Sequence, residues 1–393
     1  MKNLTYRHTI VAGCIGFLVQ AIVNNFAPLL FLTFQDTYAF STGQIASLIT
    51  INFGFQLFID FISAYLVPHI GLRTALITAH VFSAVGLCGM AVLPELIAPY
   101  PGMLVAVLLY ATGSGLVEVS GSPTVEACPT KNKASIMSLL HSFYCWGVVL
   151  TVGLSTLFFV LFGVENWRLL SCLWALLPLL NAVFFCFVPI YTPVGDEEKR
   201  QPFLKLFSRK TFWLLALLMT ASGAAEQAMA QWASVFAEDA LNVTKTVGDL
   251  AGPCAFALLQ GLARALYGKF GDRIPLRGFM LGSALLSIVC YAVAALSPIP
   301  ALGLVGCALC GFSVGIMWPG SLSIGAKAMP DGGTALFSLL ALFGDLGCSS
   351  GPGLVNAAAE IAGGNLKTGL LAAGVFPLIM AVALSLWHRK KQS

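Results

Sequence analysis

The chain consists of long apolar segments separated by short polar stretches. Each apolar segment is roughly 20 residues or longer, which is the length that an α-helix needs to cross a bilayer. With proline, glycine and charged residues taken as boundaries, the pattern predicts twelve membrane-spanning helices, numbered spans 1 to 12. The expected fold class is therefore an all-α polytopic membrane protein. The predicted spans are 9–34, 43–66, 73–94, 101–123, 133–163, 168–190, 211–238, 245–269, 276–297, 299–327, 332–359 and 366–388.

Composition agrees with this interpretation. Apolar residues make up 58% of the 393 residues and charged residues only 10%, whereas soluble proteins carry about 25% charged residues. The first apolar segment is too long for the core of a signal peptide, so no cleavable signal is expected. The cysteines are scattered singly through apolar segments. The close pair Cys307 and Cys310 is interpreted as two buried thiols, with a redox or metal site as the alternative, and no disulfide is expected.

Basic residues predict the orientation of the spans. With the N-terminus in the cytoplasm, ten lysines and arginines up to Lys210 and seven after it lie on the cytoplasmic side, 17 of the 21 in the chain. Only Arg168, Lys245 and Lys367 fall on the other side, and Arg264 lies within span 8. The positive-inside rule therefore predicts cytoplasmic termini in a multi-pass protein of the cytoplasmic (inner) membrane. The net charge of +4 reflects this bias and does not indicate a nucleic-acid partner.

The two halves of the chain repeat each other. A shift of 204 residues aligns spans 2 and 3 with spans 8 and 9 without a gap. The stretch 191–210 is the longest between spans, and we interpret it as a cytoplasmic linker between an N-terminal half, 1–190, and a C-terminal half, 211–393. The aligned pairs include Gln56 with Gln260, Arg73 with Arg277 and Pro94 with Pro298, and the same shift places Asp60 on Arg264 and His141 on Asp345.

Two sequence features resemble a known family. The loop GKFGDRIPLR between spans 8 and 9 carries Gly268, Asp272 and Arg273, which match the G-x-x-x-D-R loop signature of the major facilitator superfamily. The equivalent loop of the first half, AYLVPHIGLR, has Pro68 and His69 at the Asp-Arg positions. The resemblance extends over essentially the whole chain. It implies two six-helix pseudo-repeats in the same orientation, the major facilitator fold, with a central binding site.

A finer resemblance concerns spans 4 and 5. The segments GSGLVEVSGSPTVEACP and KASIMSLLHSFYCWG are similar to those of the fucose permease and related sugar:proton symporters, where helix 4 carries a glutamate and helix 5 an L-L-H-x-F segment. Glu118 and His141 match those positions. The symporters also have a helix-1 carboxylate that helps to bind sugar, whereas span 1 of this chain offers the amides of Asn24 and Asn25.

Three ionisable residues are candidates for proton coupling. Glu118 lies near the middle of span 4, where a charged side chain costs roughly 2.5–3.5 kcal/mol on insertion scales. Ser114 and Ser122 lie one turn away on the same helical face, so this face is expected to line a cavity. His141 and Asp345 are the other candidates, because each lies within an apolar span. For all three, a hydrogen bond that only packs two helices together is the alternative.

Amide and aromatic side chains suggest a substrate site. Amides both donate and accept hydrogen bonds, which suits hydroxyl-rich ligands, and an indole ring can stack on a sugar face. A role in helix packing alone is the alternative for each residue. The candidate substrate-binding residues are Gln20, Asn24, Asn25, Glu118, Glu226, Gln231, Trp232 and Trp318. Trp318 precedes Pro319, where a break or kink in span 10 is expected.

Charged residues near the cytoplasmic ends suggest a gate. Asp60 and Arg264 occupy equivalent positions of the repeat and have opposite charges. Salt bridges at such positions open and close with alternating access in the fold that the resemblance implies. A structural or gating role is favoured for both residues, and contact with the substrate is the alternative. The candidate gating residues are Asp60, Arg264, Asp272 and Arg273.

Three functions are compatible with a polytopic membrane protein. We expect a secondary transporter that imports a small polar solute, a sugar or a sugar-like compound, together with protons. An ATP-driven pump or a membrane enzyme is disfavoured, because the sequence contains no G-x-x-x-x-G-K-[ST] loop and no metal-ligand spacing, so no cofactor or metal is expected. The remaining alternative is a proton-driven exporter of drugs or metabolites with the same fold. The expected partners are the solute, protons and the lipid bilayer, and the expected state is a monomer.

Overall fold

The computed structural model describes residues 4–193, 203–233 and 250–392. Residues 194–202 of the predicted linker lie outside the described residues, as do residues 234–249, where the predicted end of span 7 and start of span 8 fall. The spans of the first half are Tyr6–Tyr38 (helix Tyr6–Phe26, 3₁₀ turn Ala27–Leu30 and helix Phe31–Tyr38), Thr42–Ile70, Leu72–Leu96, Pro99–Ala127, Lys133–Phe162 and Trp167–Phe187. Those of the second half are Lys210–Ala230, Ala255–Phe270, Leu276–Leu296, Pro300–Val314 with Met317–Ala328, Gly333–Ile361, and Leu366–Ala373 with Val375–Gln392.

Most of these helices have the length and composition of membrane spans. Within the described residues, ten helical segments are long and apolar enough to cross a membrane. The helices of spans 7 and 8 are the other two, and they border the undescribed residues 234–249. Local signals define several ends. Ser41 caps span 2 by accepting a hydrogen bond from the Gln44 backbone, and Gly71 ends the same helix with a φ of 83°.

Span 10 is interrupted near Pro319, as the sequence predicts. The helix ends at Val314 and the next helix begins at Met317, so the break lies about one turn before the proline. Proline has no N–H to bond the carbonyl four residues before it, and its ring clashes with that carbonyl. The effect of Pro319 therefore falls on Gly315, whose carbonyl is left without its helical partner.

The described chain forms two compact units. The first comprises Met1–Pro129, Trp146–Gln201 and Asp331–Ser338. The second comprises Thr130–Cys145, Pro202–Pro330 and Leu339–Ser393. Each unit thus holds most of one predicted half, while the first part of span 5 belongs to the second unit and the start of span 11 to the first.

Each unit has the same internal arrangement of neighbouring helices. In the first unit, span 3 packs against spans 4 and 6, span 4 packs against spans 1 and 2, and span 1 packs against span 6. In the second unit, span 9 packs against spans 10 and 12, span 10 packs against spans 7 and 8, and span 7 packs against span 12. Adding six to each span number in the first unit gives the packing pairs of the second unit. The repeat in the sequence is therefore also a repeat in packing.

Two equivalent arginines perform equivalent roles in this packing. Arg73, at the start of span 3, donates to the carbonyl oxygens of Phe185 and Val188 at the end of span 6, at 2.6 and 3.0 Å. Arg277, at the start of span 9, donates to the carbonyl oxygen of Leu384 in span 12 at 2.7 Å. The last carbonyls of a helix lack partners within it, and Arg73 bonds carbonyls at such an end. Leu384 lies within its helix. Both guanidinium groups tie the third span of a half to the sixth.

A buried histidine joins three spans of the first unit. His80 Nδ1 lies 2.7 Å from the carbonyl oxygen of Leu76, an acceptor, so Nδ1 carries the hydrogen. His80 Nε2 is then the acceptor for Asn181 Nδ2 at 2.8 Å, and the same amide donates to the carbonyl oxygen of Ala12 at 3.0 Å. The geometry fits one neutral tautomer and fixes spans 1, 3 and 6 against each other.

Candidate functional site

Glu118 forms the centre of a buried polar cluster in the first unit. Gln20 Nε2 in span 1 donates to Glu118 Oε2 at 2.6 Å, and only 9% of Glu118 is exposed. Two residues of the predicted substrate site are thereby brought together on facing helices.

Ser114 extends this cluster by one helical turn. Its Oγ lies 3.2 Å from Asn24 Oδ1 in span 1 and 3.1 Å from Gln56 Oε1 in span 2. A hydroxyl has one hydrogen and both of these atoms are acceptors, so Ser114 donates to one amide oxygen at a time. We call Gln20, Asn24, Gln56, Ser114 and Glu118 the amide–carboxylate cluster. It joins three spans of the first unit.

Glycines in span 4 allow these helices to approach closely. A Cβ at Gly115 would lie 2.9 Å from Ile59 Cγ2 in span 2, and a Cβ at Gly121 would lie 2.8 Å from Phe17 Cε2 in span 1. At both distances the side chain of Ile59 or Phe17 would have to move, so the glycines allow this close packing. The glycine-rich sequence around Glu118 therefore positions the carboxylate against span 1.

Other first-half candidates lie near the cluster but have different contacts. Asn25 donates to the carbonyl oxygen of Ala21 in its own helix at 2.9 Å. Asp60 is fully buried and lies one turn beyond Gln56 on span 2. Ser122 is buried one turn beyond Glu118. Gln56 was not among the predicted site residues, although its four-residue spacing from Asp60 placed both on one face of the helix.

Arg264 forms the centre of a second cluster, in the second unit. Its Nη2 donates to Glu226 Oε2 in span 7 at 3.0 Å, and the two side chains are 4% and 15% exposed. Its Nη1 lies 3.2 Å from Cys145 Sγ and 3.3 Å from the carbonyl oxygen of His141, both in span 5. Its Nε donates to the carbonyl oxygen of Gly315 in span 10 at 2.8 Å. One guanidinium group thus ties three spans to span 8.

One of the acceptors of Arg264, the Gly315 carbonyl, is available because of Pro319. The carbonyl of Gly315 is the group that Pro319 leaves without a helical partner, and Arg264 bonds it. The sequence predicted roles for Arg264 and Glu226 separately, as a gating and a substrate-binding residue. Their pairing, and the participation of Cys145 and Gly315, were not predicted. In the sequence, Pro319 could have indicated that the Gly315 carbonyl lacks a helical partner and is free to accept another donor.

The remaining second-half candidates occupy several environments. Trp318 is buried, and its ring lies against span 11, where a Cβ on Gly344 would be 2.3 Å from Trp318 Cη2. Asp345, the next residue, is half-buried, and the His141 side chain is buried. At the end of span 7, Trp232 is half-buried and Gln231 is exposed.

Several buried polar atoms of the second unit have no hydrogen-bond partner among the described residues. These groups are available to a ligand that donates and accepts hydrogen bonds. They are Trp318 Nε1, Trp232 Nε1, Gln260 Nε2, Ser222 Oγ and Ser321 Oγ. In the part of the chain that the structure describes, no group of three or more histidine, cysteine, aspartate or glutamate side chains could hold a metal ion.

The Asp272 loop contacts the start of span 5. Asn132 Nδ2 donates to Asp272 Oδ1 at 2.7 Å, while Asn132 Oδ1 caps span 5 by accepting from the Ser135 backbone at 3.1 Å. Arg273 is exposed. One asparagine therefore connects the G-x-x-x-D-R loop to the first turn of a helix in the same unit.

Comparison with solved structures identifies the fold. The E. coli fucose:proton symporter FucP superposes with a TM-score of 0.82 at 17% identity, over 97% of this chain and 99% of that chain. The proton:xylose symporter XylE gives 0.80 at 13% identity, over 98% and 95%. The human organic anion transporter MFSD10 gives 0.71 at 14% identity, over 96% and 99%. A search of curated protein sequences found no relative.

These likenesses confirm the predicted all-α fold of twelve membrane-spanning helices in two six-helix pseudo-repeats. The sequence model described as Major Facilitator Superfamily matches residues 12–352, which is most of the chain. The resemblance that the loop between spans 8 and 9 suggested is thereby confirmed. The protein is a multi-pass integral membrane transporter that belongs to the major facilitator superfamily.

Proposed function

We propose that this transporter is a secondary importer of a small polar solute, a sugar or a sugar-like compound, driven by protons. The observation that carries the proposal is Glu118, a buried carboxylate bonded by Gln20 and surrounded by amide and hydroxyl groups. The fold likeness to the fucose:proton and xylose:proton symporters supports the same function. An intramembrane carboxylate is by default a candidate for a functional role.

Coupling follows from the chemistry of Glu118. In the protonated form the side chain is neutral, which lowers the cost of its burial, and it gains an O–H donor. Solute hydroxyls that bond Glu118, Gln20 and Asn24 therefore bind with a different affinity when Glu118 is protonated. A proton that alters solute affinity is itself bound with an affinity that the solute alters, because linkage between two sites is reciprocal.

Second-half residues complete the proposed mechanism. Trp318, Trp232 and Gln231 are assigned to the solute. Glu226 is assigned to both the solute and Arg264, since it is paired with Arg264 but remains 15% exposed. His141 and Asp345 are the alternative candidates for proton coupling, to be tested if Glu118 does not have this role. The proposed gating residues are Asp60, Arg264, Asp272 and Arg273, and the contact of Asp272 with Asn132 supports a role of this loop in movements of span 5.

Transport assays with purified protein in liposomes test the function. A panel of labelled L-fucose, D-xylose, D-glucose, D-galactose and a polyol such as mannitol is suitable. We expect at least one of them to show counterflow, and to accumulate when the outside is acidic and the inside neutral. A protonophore should abolish accumulation but leave counterflow. If no sugar or polyol exchanges, and drug-like cations are extruded instead, the exporter function applies and the proposal is wrong.

The orientation is a separate proposal. The distribution of basic residues supports cytoplasmic termini and a cytoplasmic linker at 191–210, between halves 1–190 and 211–393, in the cytoplasmic (inner) membrane. A C-terminal fusion to a reporter that fluoresces only in the cytoplasm should be bright. A fusion to a reporter that is active only outside should be silent. The reverse result at equal expression overturns the orientation.

A further inference from the structure

The amide–carboxylate cluster is continuous with an apolar surface on the same helices. On span 1, Gln20 and Asn24 belong to the cluster. The following turns of the same span present Ala27, Pro28 and Phe31. The side chains therefore change from polar to apolar at one level of the helix, within about one turn.

Span 4 shows the same change in the opposite chain direction. Glu118 and Ser114 are the polar members, and the preceding turns present Tyr110, Val107 and Met103. Since spans 1 and 4 run in opposite chain directions in the predicted topology, the two apolar ends lie at the same end of the unit. Tyr110 lies at the boundary between the polar and the apolar side chains of span 4, and it carries both an aromatic ring and a hydroxyl.

Span 2 repeats the pattern a third time. The polar residues Asp60, Gln56 and Asn52 are spaced four residues apart. The apolar residues Ile49 and Leu48 lie about one turn before Asn52 in the chain. Three helices thus present polar groups at one level and apolar groups at the adjacent level. A single packing defect does not produce a change of polarity on three helices at once.

The apolar groups of the three helices line a cleft. Its cavity volume is about 30 Å³, close to the share of one water molecule in the liquid, and Asn24, a member of the polar cluster, is also part of its wall. Asn52 also lines it, is only 6% exposed, and its Oδ1 has no hydrogen-bond partner among the described residues. A buried acceptor without a partner is costly unless a ligand satisfies it.

We propose that the transported solute is amphipathic: a hydroxyl-rich body on the amide–carboxylate cluster, with a compact apolar substituent in the cleft. The inference rests on the proposed function, because it assigns the cleft to the solute that the cluster binds. A hydroxyl or N–H next to the apolar substituent donates to Asn52 Oδ1. The aromatic ring of Phe31 and the aliphatic side chains of Val107 and Leu48 contact the substituent itself.

A series of alkyl glycosides tests this assignment. The probes are the free sugars D-glucose, D-galactose and L-fucose and their methyl, ethyl, propyl and butyl glycosides, as competitors of counterflow. Each methylene buried in an apolar site strengthens binding about fourfold. We expect the methyl glycoside of at least one sugar to inhibit about fourfold more strongly than the free sugar, with little further gain from ethyl to butyl, because the cleft holds only a small group. Equal inhibition by each free sugar and its methyl glycoside overturns the inference.

Two valines of span 4 provide a matched pair of variants. Val107 is 2% exposed and lines the cleft, whereas Val105 is 39% exposed. Val107→Phe fills the cleft, so the free sugar and its methyl glycoside should inhibit equally. Val105→Phe should keep the wild-type difference. Ile49→Trp fills the cleft from span 2 at a partly exposed position, and serves if Val107→Phe does not fold.

The outcomes separate the two proposals. Counterflow of free sugars without a gain from the free sugar to its methyl glycoside leaves the proposed function intact and overturns the amphipathic solute. A gain that persists in both cleft-filling variants also overturns it, because the alkyl group then binds elsewhere or in the bilayer. If neither the sugars nor their glycosides are transported or inhibit, both proposals are wrong.

Discussion

Replacing Glu118 by glutamine is expected to preserve counterflow of the solute and to abolish its accumulation. Glutamine has the shape of protonated glutamic acid and can still accept the hydrogen bond from Gln20. It cannot release a proton, so the exchange of protons between the two sides stops. With a gradient of one pH unit, one-to-one coupling allows at most about tenfold accumulation, because one pH unit corresponds to about 1.4 kcal/mol. The variant should fall to a ratio of about one.

A second glutamate on the same helix serves as the control. Glu126 lies two turns beyond Glu118, near the end of span 4. Glu126→Gln should retain uphill transport, since its side chain is outside the amide–carboxylate cluster. Both variants are measured in proteoliposomes, by counterflow and by pH-driven uptake. Accumulation by Glu118→Gln at the wild-type level overturns the role of Glu118, and Asp345→Asn and His141→Gln are then tested in the same way.

Replacing Arg264 by leucine is expected to destabilise the protein severely. The guanidinium group satisfies Glu226, the Gly315 carbonyl and the Cys145 thiol at once. Removing one partner of a buried ion pair leaves an uncompensated charge, which costs about 3–5 kcal/mol. The midpoint of thermal unfolding, measured in one detergent, should therefore fall clearly. The double variant Arg264→Leu with Glu226→Leu should recover part of the loss, because both charges are then absent.

An exposed ion pair provides the comparison for Arg264. Arg168 bonds Glu95, and their side chains are 40% and 59% exposed. Exposed pairs contribute about 0–1 kcal/mol, so Glu95→Gln should change the unfolding midpoint little. If Arg264→Leu and Glu95→Gln have equal effects, the Arg264 cluster does not hold the second unit together. If the double variant is less stable than Arg264→Leu, an unpaired Glu226 is not the cause of the loss.

The fold could be predicted from sequence because its determinants are local or periodic. The length of each apolar segment fixes a span, and a constant shift of 204 residues reveals the repeat without any knowledge of contacts. The predicted break in span 10 is present, and its exact position has a simple cause. The loss of the N–H of Pro319 acts four residues earlier, at Gly315, so the proline itself is not where the helix ends.

The site was only partly predictable, because a sequence gives positions along a helix but not the helix that faces them. Helical spacing placed Ser114 and Glu118 on one face correctly, yet it could not choose between the adjacent amides of span 1. The structure places Asn24 in the cluster, while Asn25 bonds its own helix. For Arg264, the sequence did not indicate Glu226, which accepts a hydrogen bond from its guanidinium group at 3.0 Å. The gating role of Asp60 and Arg264 stays a prediction. Partner choice depends on tertiary packing, and repeat symmetry alone does not supply it.

The ties made by Arg73 and Arg277 have a consequence for biosynthesis. The acceptors of Arg73 lie 112 and 115 residues later in the chain, and that of Arg277 lies 107 residues later. At roughly 5–20 residues per second, a ribosome needs roughly 6 to 23 s to deliver the end of span 6 after Arg73 has emerged. During that interval the guanidinium group must stay hydrated at the membrane surface. The tie between the third and the sixth span of each half can therefore form only when the last helix of that half arrives.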